Sequence, residues 1–381
     1  MPQTADSLDI APSWGARILG IEGMRAIAAL SVVVGHTVAA MAPQASSEGG
    51  IVWRLLSPAT QGLTLFFVLS GFLLFRPFVT SVVSGTRAPG WARFLRNRAV
   101  RILPAYVFIL LVTSYVLGVA RLSDQSAAVS AEGAGRLPLV DLLWSLPLVQ
   151  TFNPEQMRTG IGVAWSLTVE TCFYALVPLC ALAAARLARP LGRWAAVLAP
   201  AAAFLAVGVA GKIWLLWETR NMSEAAKFNF EWGQTWSAVV ARSILVHGDL
   251  FAYGMAAAVL YVAVEQGAIG RDRAAAMRLP LIVTAIAGAG AASVGSLLIF
   301  QDAAAAIACT AALLFLVLPT RRGAAAGSAR LMEWAPSGSS GSCPMAFICG
   351  TLASSGGCSS VDGASRTRSW GFSLTSPLLL L

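Results

Sequence analysis

Charge is scarce in this sequence. Only 12% of its 381 residues are charged, against 57% that are hydrophobic, and the mean hydropathy is +0.70. So few charged groups cannot cover a soluble domain of this size without leaving much apolar surface in water. A bilayer is the natural solvent. Histidine is scarcer still, with two in the chain, and of the six cysteines the three within the apolar runs show no metal-ligand or redox spacing. No metal site is expected. Cys172, Cys180 and Cys309 lie inside apolar runs and read as small core residues. The N-terminus, with Asp6 and Asp9, has neither a basic n-region nor a small-residue cleavage site, so the first apolar stretch is expected to stay as a span.

The net charge of +9 does not point to nucleic acid. Its arginines sit in short clusters between apolar runs, where they set orientation in a membrane. Stretches long enough to cross the hydrocarbon layer, about 20 residues each, run near 18–41, 59–82, 102–120, 161–185, 194–216, 243–264, 279–299 and 303–319. Backbone groups in lipid must be satisfied within their own segment. The fold class is therefore all-α, a polytopic transmembrane helix bundle of about eight spans.

Basic residues gather in alternate loops: Arg87, Arg93, Arg96, Arg98 and Arg101, then Arg186, Arg189 and Arg193, then Arg271, Arg273 and Arg278, and finally Arg321 and Arg322. By the positive-inside rule these loops and the N-terminus face the cytoplasm. The loops at 121–160 and 217–242 then lie outside, and a multi-pass protein of the cell membrane is expected.

The first span places Glu22, Arg25 and His36 in an otherwise apolar helix. Eleven residues at about 100° each bring Arg25 and His36 to within roughly 20° of one face, on the order of 16 Å apart along the axis. Two readings are open. The stripe lines a cavity or pathway, with His36 as a general base, or Glu22 and Arg25 form an interfacial pair while His36 bonds a neighbouring helix. A transporter or channel would use such a stripe equally well, although no inverted repeat is visible. Ser70 and Gly71 lack a G-x-S-x-G elbow, so LSGF reads as close helix packing. His247 and Asp249 are near the outer end of the sixth span, but two residues apart on a helix they face different ways.

An Arg, ten residues and a His on the first span are followed by FFVLSGFLLFRPF (66–78), RFLRNRAVRILPAY (93–106) and WSLTVETCFYALVP (165–178). In this order and these topological places, the motifs resemble those of the membrane-bound acyltransferase-3 family over about residues 18–185. The resemblance implies transfer of an acyl group from a cytoplasmic donor such as acyl-CoA, a co-substrate and not a bound cofactor, to a hydroxyl of a carbohydrate or other acceptor. It implies His36 and Glu170 as catalytic residues, and Arg25, Arg98, Arg101 and Tyr174 as substrate-binding residues. Physically, guanidinium groups at a membrane edge suit donor phosphates, and Glu170 is expected in the outer half of the membrane, level with His36. The family commonly has a second acidic residue beside this one, where the chain has Thr171.

After Arg330 the character changes to Ser and Gly with three cysteines, so 1–330 reads as the transmembrane domain and 331–381 as a disordered or out-of-frame tail. Codons for Ser342 to Thr351, read from each third base, can spell Val-Ser-Tyr-Gly-Ile-Tyr-Leu-Trp-His, which is similar to a late-span motif of the family. On that reading a frameshift near 335 removes the family's last spans, and an inactive membrane scaffold is a further possibility.

Overall fold

The computed structural model describes residues 18–41, 60–123, 134–293 and 300–319; the tail and its out-of-frame reading lie outside them. The long helices are α1 (Ile21–Met41), α2 (Gly62–Ser84) and α3 (Trp91–Leu111), the last continued by a π-helical turn over Val112–Val116. A short α4 (Leu139–Ser145) precedes α5 (Trp165–Leu191) and α6 (Arg193–Thr219). Two short helices, α7 (Glu224–Trp232) and α8 (Trp236–Ala241), lead into α9 (Ile244–Glu265). The described chain ends with α10 (Arg271–Ala276), α11 (Arg278–Ala292) and α12 (Gln301–Val317). Ala120–Arg121 and Ala134–Gly135 form a two-residue antiparallel ladder, and the fold is all-α.

Seven of these segments are long and apolar enough to cross a membrane. α12, with 17 residues, stands at the short end of what can span. The spans expected from hydropathy are thus present in order. One boundary differs: α3 starts at Trp91, eleven residues before the apolar run at 102, so Arg93, Arg96, Arg98 and Arg101 stand on a helix and not in a loop. Trp91, Phe94 and Leu95 recur at helical spacing, and Phe94 packs edge-on against Phe78 at 5.4 Å. That packing extends the helix through its basic turns.

The bundle has a basic end, where α2, α5 and α9 finish, and a cap end carrying residues 134–164 and α7–α8. At the cap end the Thr168 hydroxyl donates to the Leu148 carbonyl at 3.0 Å, tying the irregular segment down onto α5. Ser223, Thr235 and Ser243 cap α7, α8 and α9 by accepting from backbone N–H groups in the first turn.

α9 is the central helix, with 67% of its span buried, whereas the span containing α11 is 6% buried and faces lipid. Close approach is what centres α9. A Cβ on Gly254 would collide with the Val68 carbonyl, and one on Gly71 with the Phe251 carbonyl. Gly208 and Gly211 of α6 meet α9 in the same way, at Asp249 and Leu245. Small residues let membrane helices exchange side-chain bulk for backbone contact. Phe67, Phe173 and Phe251 fill the seam between α2, α5 and α9, with ring centroids 4.6 and 4.2 Å apart.

Candidate active site

A cleft of about 70 Å³ opens between α1, α2, α3 and α5. Its polar lining is Arg25, Ser70, Arg98, Arg101, Glu170 and Tyr174, set among Phe66, Leu69, Leu73, Leu74 and Ile102. Five of the six polar residues are those that the family resemblance singles out, drawn from three separate motifs. At about 15 Å³ per water the space holds roughly five waters, and the rest of any ligand would extend beyond it.

Glu170 is the hub. The Ser70 hydroxyl donates to Glu170 Oε1 at 2.6 Å, and the buried Tyr174 faces the same carboxylate. Arg25 and Arg98 are within electrostatic range of it. Arg25 also pairs with Glu22 at 3.0 Å, in the i,i+3 relation. With Glu22 half-exposed, that pair is worth at most about 1 kcal/mol and does not commit Arg25. Arg98 lies over the Phe94 ring at 5.7 Å, and its Nε is buried without a hydrogen-bond partner among the described residues. An orphaned guanidinium donor in a cationic cleft has the chemistry to hydrogen-bond an anion.

His36 is elsewhere. It stands eleven residues further along α1, about 16 Å up the axis, half-buried, and does not line the cleft. The expected level of Glu170 with His36 is not found: its contact with Ser70 puts Glu170 near Arg25. The cap segment lies over the start of α5, tied to it by the bond from Thr168 to the Leu148 carbonyl. Ser70 is the residue that sequence reasoning set aside. Gly71 does serve close packing, as expected, but its neighbour holds the carboxylate of another span.

A second polar cluster sits at the cap end. Lys212 Nζ and Asp249 Oδ2 are 2.6 Å apart, with side-chain exposures of 3% and 0%. Arg242 pairs with Glu231 at 3.5 Å and lies over the rings of Trp232 and Trp165, at 3.3 and 5.4 Å. His247 and Asp249 point apart, as their spacing predicts: Asp249 faces α6, whereas His247 packs on Trp165 and Phe67 at 5.2 and 6.4 Å. Within the cap, outside the spans, burial and then the charge of Arg121 pull the Arg158 guanidinium down to about 10. It stays charged at neutral pH, so the cap carries buried positive charge. Among the described residues no group of three or more His, Cys, Asp or Glu is arranged to hold a metal.

The family model for an acyltransferase domain matches residues 18–339. The curated protein described as protein 2 in the picA locus of Rhizobium radiobacter is 31% identical over 162 residues, which cover 40% of this chain and 77% of that protein. No solved structure matches the chain.

Proposed function

The chain belongs to the acyltransferase-3 family of membrane-bound acyltransferases, and on that premise we propose that it moves an acyl group from a cytoplasmic thioester donor such as acyl-CoA onto a hydroxyl of a carbohydrate or similar acceptor. The observation that carries this reading is the convergence of Arg25, Arg98, Arg101, Ser70, Glu170 and Tyr174, from four helices, in one cleft. Three guanidinium groups, that of Arg98 with an orphaned Nε, suit the phosphates of a nucleotide-linked donor. The basic end of the bundle, where this cleft begins, is the cytoplasmic one in this proposal, and so is the N-terminus.

The donor's flexible arm then runs outward along α1, past Glu170 and toward His36. There the acceptor oxygen attacks the thioester carbonyl. The new ester C–O bond forms, the C–S bond breaks, His36 takes the hydroxyl proton, and the departing thiolate receives it. A neutral imidazole is suited to this because it exchanges protons near working pH. Glu170, held by Ser70, positions the reacting groups from the next level of the bundle. Arg25, at the foot of the same helix as His36, links the donor end to the chemistry.

The test uses the full chain in its native membrane, with acetyl-CoA carrying an isotopic label in the acetyl group. Mass spectrometry of surface glycans and secreted metabolites should find the label as an added acetyl mass in cells with the gene and not in cells without it. His36→Ala should abolish the label at unchanged protein abundance. Equal loss of protein and label would make His36 structural, and no labelled product in any strain would remove the acyl-transfer reading.

A further inference from the structure

His247 is one of the chain's two histidines, and nothing in the mechanism above uses it. It is 8% exposed, and neither Nδ1 nor Nε2 has a side-chain or well-formed backbone hydrogen bond among the described residues, the Ala241 backbone being its nearest polar neighbour of that kind. A buried polar ring is normally satisfied, and one left open on both nitrogens marks a place where something else binds. Its surroundings are specific. Trp165 lies against its face, and the Arg242 guanidinium sits over both Trp165 and Trp232. Trp165 and Trp232 meet edge to face at 6.2 Å, with Glu231 beside Arg242. Trp165, Trp232 and Glu231 are half-buried, so the cluster reaches from the surface of the cap end down to the imidazole. Arg242 Nε, Gln150 Oε1, Gln156 Oε1 and Thr159 Oγ1, all toward the cap end, are likewise buried without partners.

We propose that this cluster is the acceptor-binding site, with His247 as the residue that holds a hydroxyl of a sugar-like, polyhydroxylated ring. The proposal rests on the acyl-transfer reading and gives its acceptor a place. A neutral imidazole offers one donor and one acceptor, and a hydroxyl answers either. Two half-buried indoles, whose rings also pack on Arg242 and His247, supply apolar wall beside the imidazole, while Arg242 and Glu231 add a donor and an acceptor to fix orientation. The position fits the reaction too. His247 packs on Phe67 and Trp165, which stand three and five residues from Ser70 and Glu170, about one turn toward the cap. An acceptor held here therefore stands on the cap side of the donor cleft.

His247→Phe separates this role from packing. Phenylalanine keeps an aromatic ring against Trp165 and Phe67 and removes two unpaired polar atoms, so a merely structural His247 predicts a fold at least as stable and no other change. The acceptor role predicts the same melting behaviour with at least tenfold weaker binding of methyl glycosides, measured on the purified full chain in lipid nanodiscs by saturation-transfer NMR. His247→Gln, which keeps a donor and an acceptor, should recover part of the affinity. Equal affinity in wild type and His247→Phe, or no saturable binding of any methyl glycoside by the wild type, overturns the proposal. Acetyl-CoA consumption is followed in the same samples. Turnover with glycoside binding indifferent to His247 rejects this site alone, whereas glycoside binding without any acetyl-CoA turnover rejects the acyl-transfer reading and, with it, an acceptor role for the site.

Discussion

At the scale of single residues, the difference between a fork and a point charge decides what the arginines of the cleft do. Arg98→Lys with Arg101→Lys keeps two positive charges at the basic end but loses planar, bidentate recognition of phosphate. Donor KM should rise about tenfold, the equivalent of roughly 1.4 kcal/mol, with helix orientation unchanged; an unaltered donor KM would leave these residues as topology signals. Lys212 and Asp249 invite a different experiment. Lys212→Met alone strands a buried carboxylate and should cost about 3–5 kcal/mol. Adding Asp249→Leu should restore most of that, because the double variant has no uncompensated charge in the pair. Asp302, close enough to feel both groups, loses one attraction and one repulsion together. Thermal unfolding of the four proteins completes the cycle, and additive losses would show that the pair is not coupled. Arg25, Arg98, Arg101, Glu170 and Tyr174 stand out in the sequence because polar groups are conspicuous in apolar helices. Lys212 does not announce its partner. Thirty-seven residues and a change of helix separate the two, and no local pattern encodes a contact made only when α6 and α9 pack. Ser70 is hidden for a similar reason, since a hydroxyl in a membrane helix is as readily bonded to its own backbone as to a carboxylate.

At the scale of elements, α9 owes its central place to glycine. Gly254→Val would drive a side chain into the backbone of α2 at Val68 and Phe72, and neither helix can retreat without opening the phenylalanine seam. A loss of roughly 3 kcal/mol is expected, read as a lower melting temperature after detergent extraction. The same change at Gly290, which has open space around it, should be nearly silent. Helix existence is legible in the sequence because about 20 apolar residues in lipid have few other options. Helix starts are less so. α3 begins at Trp91 because an amphipathic turn found Phe78 to pack on, and hydropathy averages see only its arginines. The cap over α5 is equally invisible beforehand, being built from turns and from Thr168 bonding a carbonyl twenty residues back.

At the scale of the whole molecule, the alternation of basic and cap ends fixes which residues each compartment can reach. In a chain stripped of its own cysteines, Ser223→Cys, at the cap end before α7, should react with a membrane-impermeant maleimide on intact cells. Gly270→Cys, at the basic end before α10, should react only after permeabilisation. The reverse pattern would invert the proposed orientation and with it the assignment of donor and acceptor sides. The helices that define these ends are unequal in length. α6 has 27 residues and α12 has 17, which at 1.5 Å per residue is about 40 Å against about 25 Å. A hydrocarbon layer near 30 Å thick cannot match both. The long helix must lean, and the lipid beside the short one must thin. The bilayer around this enzyme is therefore bent to its shape on one flank, so its stability should follow the chain length of the surrounding lipids, and a thicker membrane should press first on the α11–α12 hairpin.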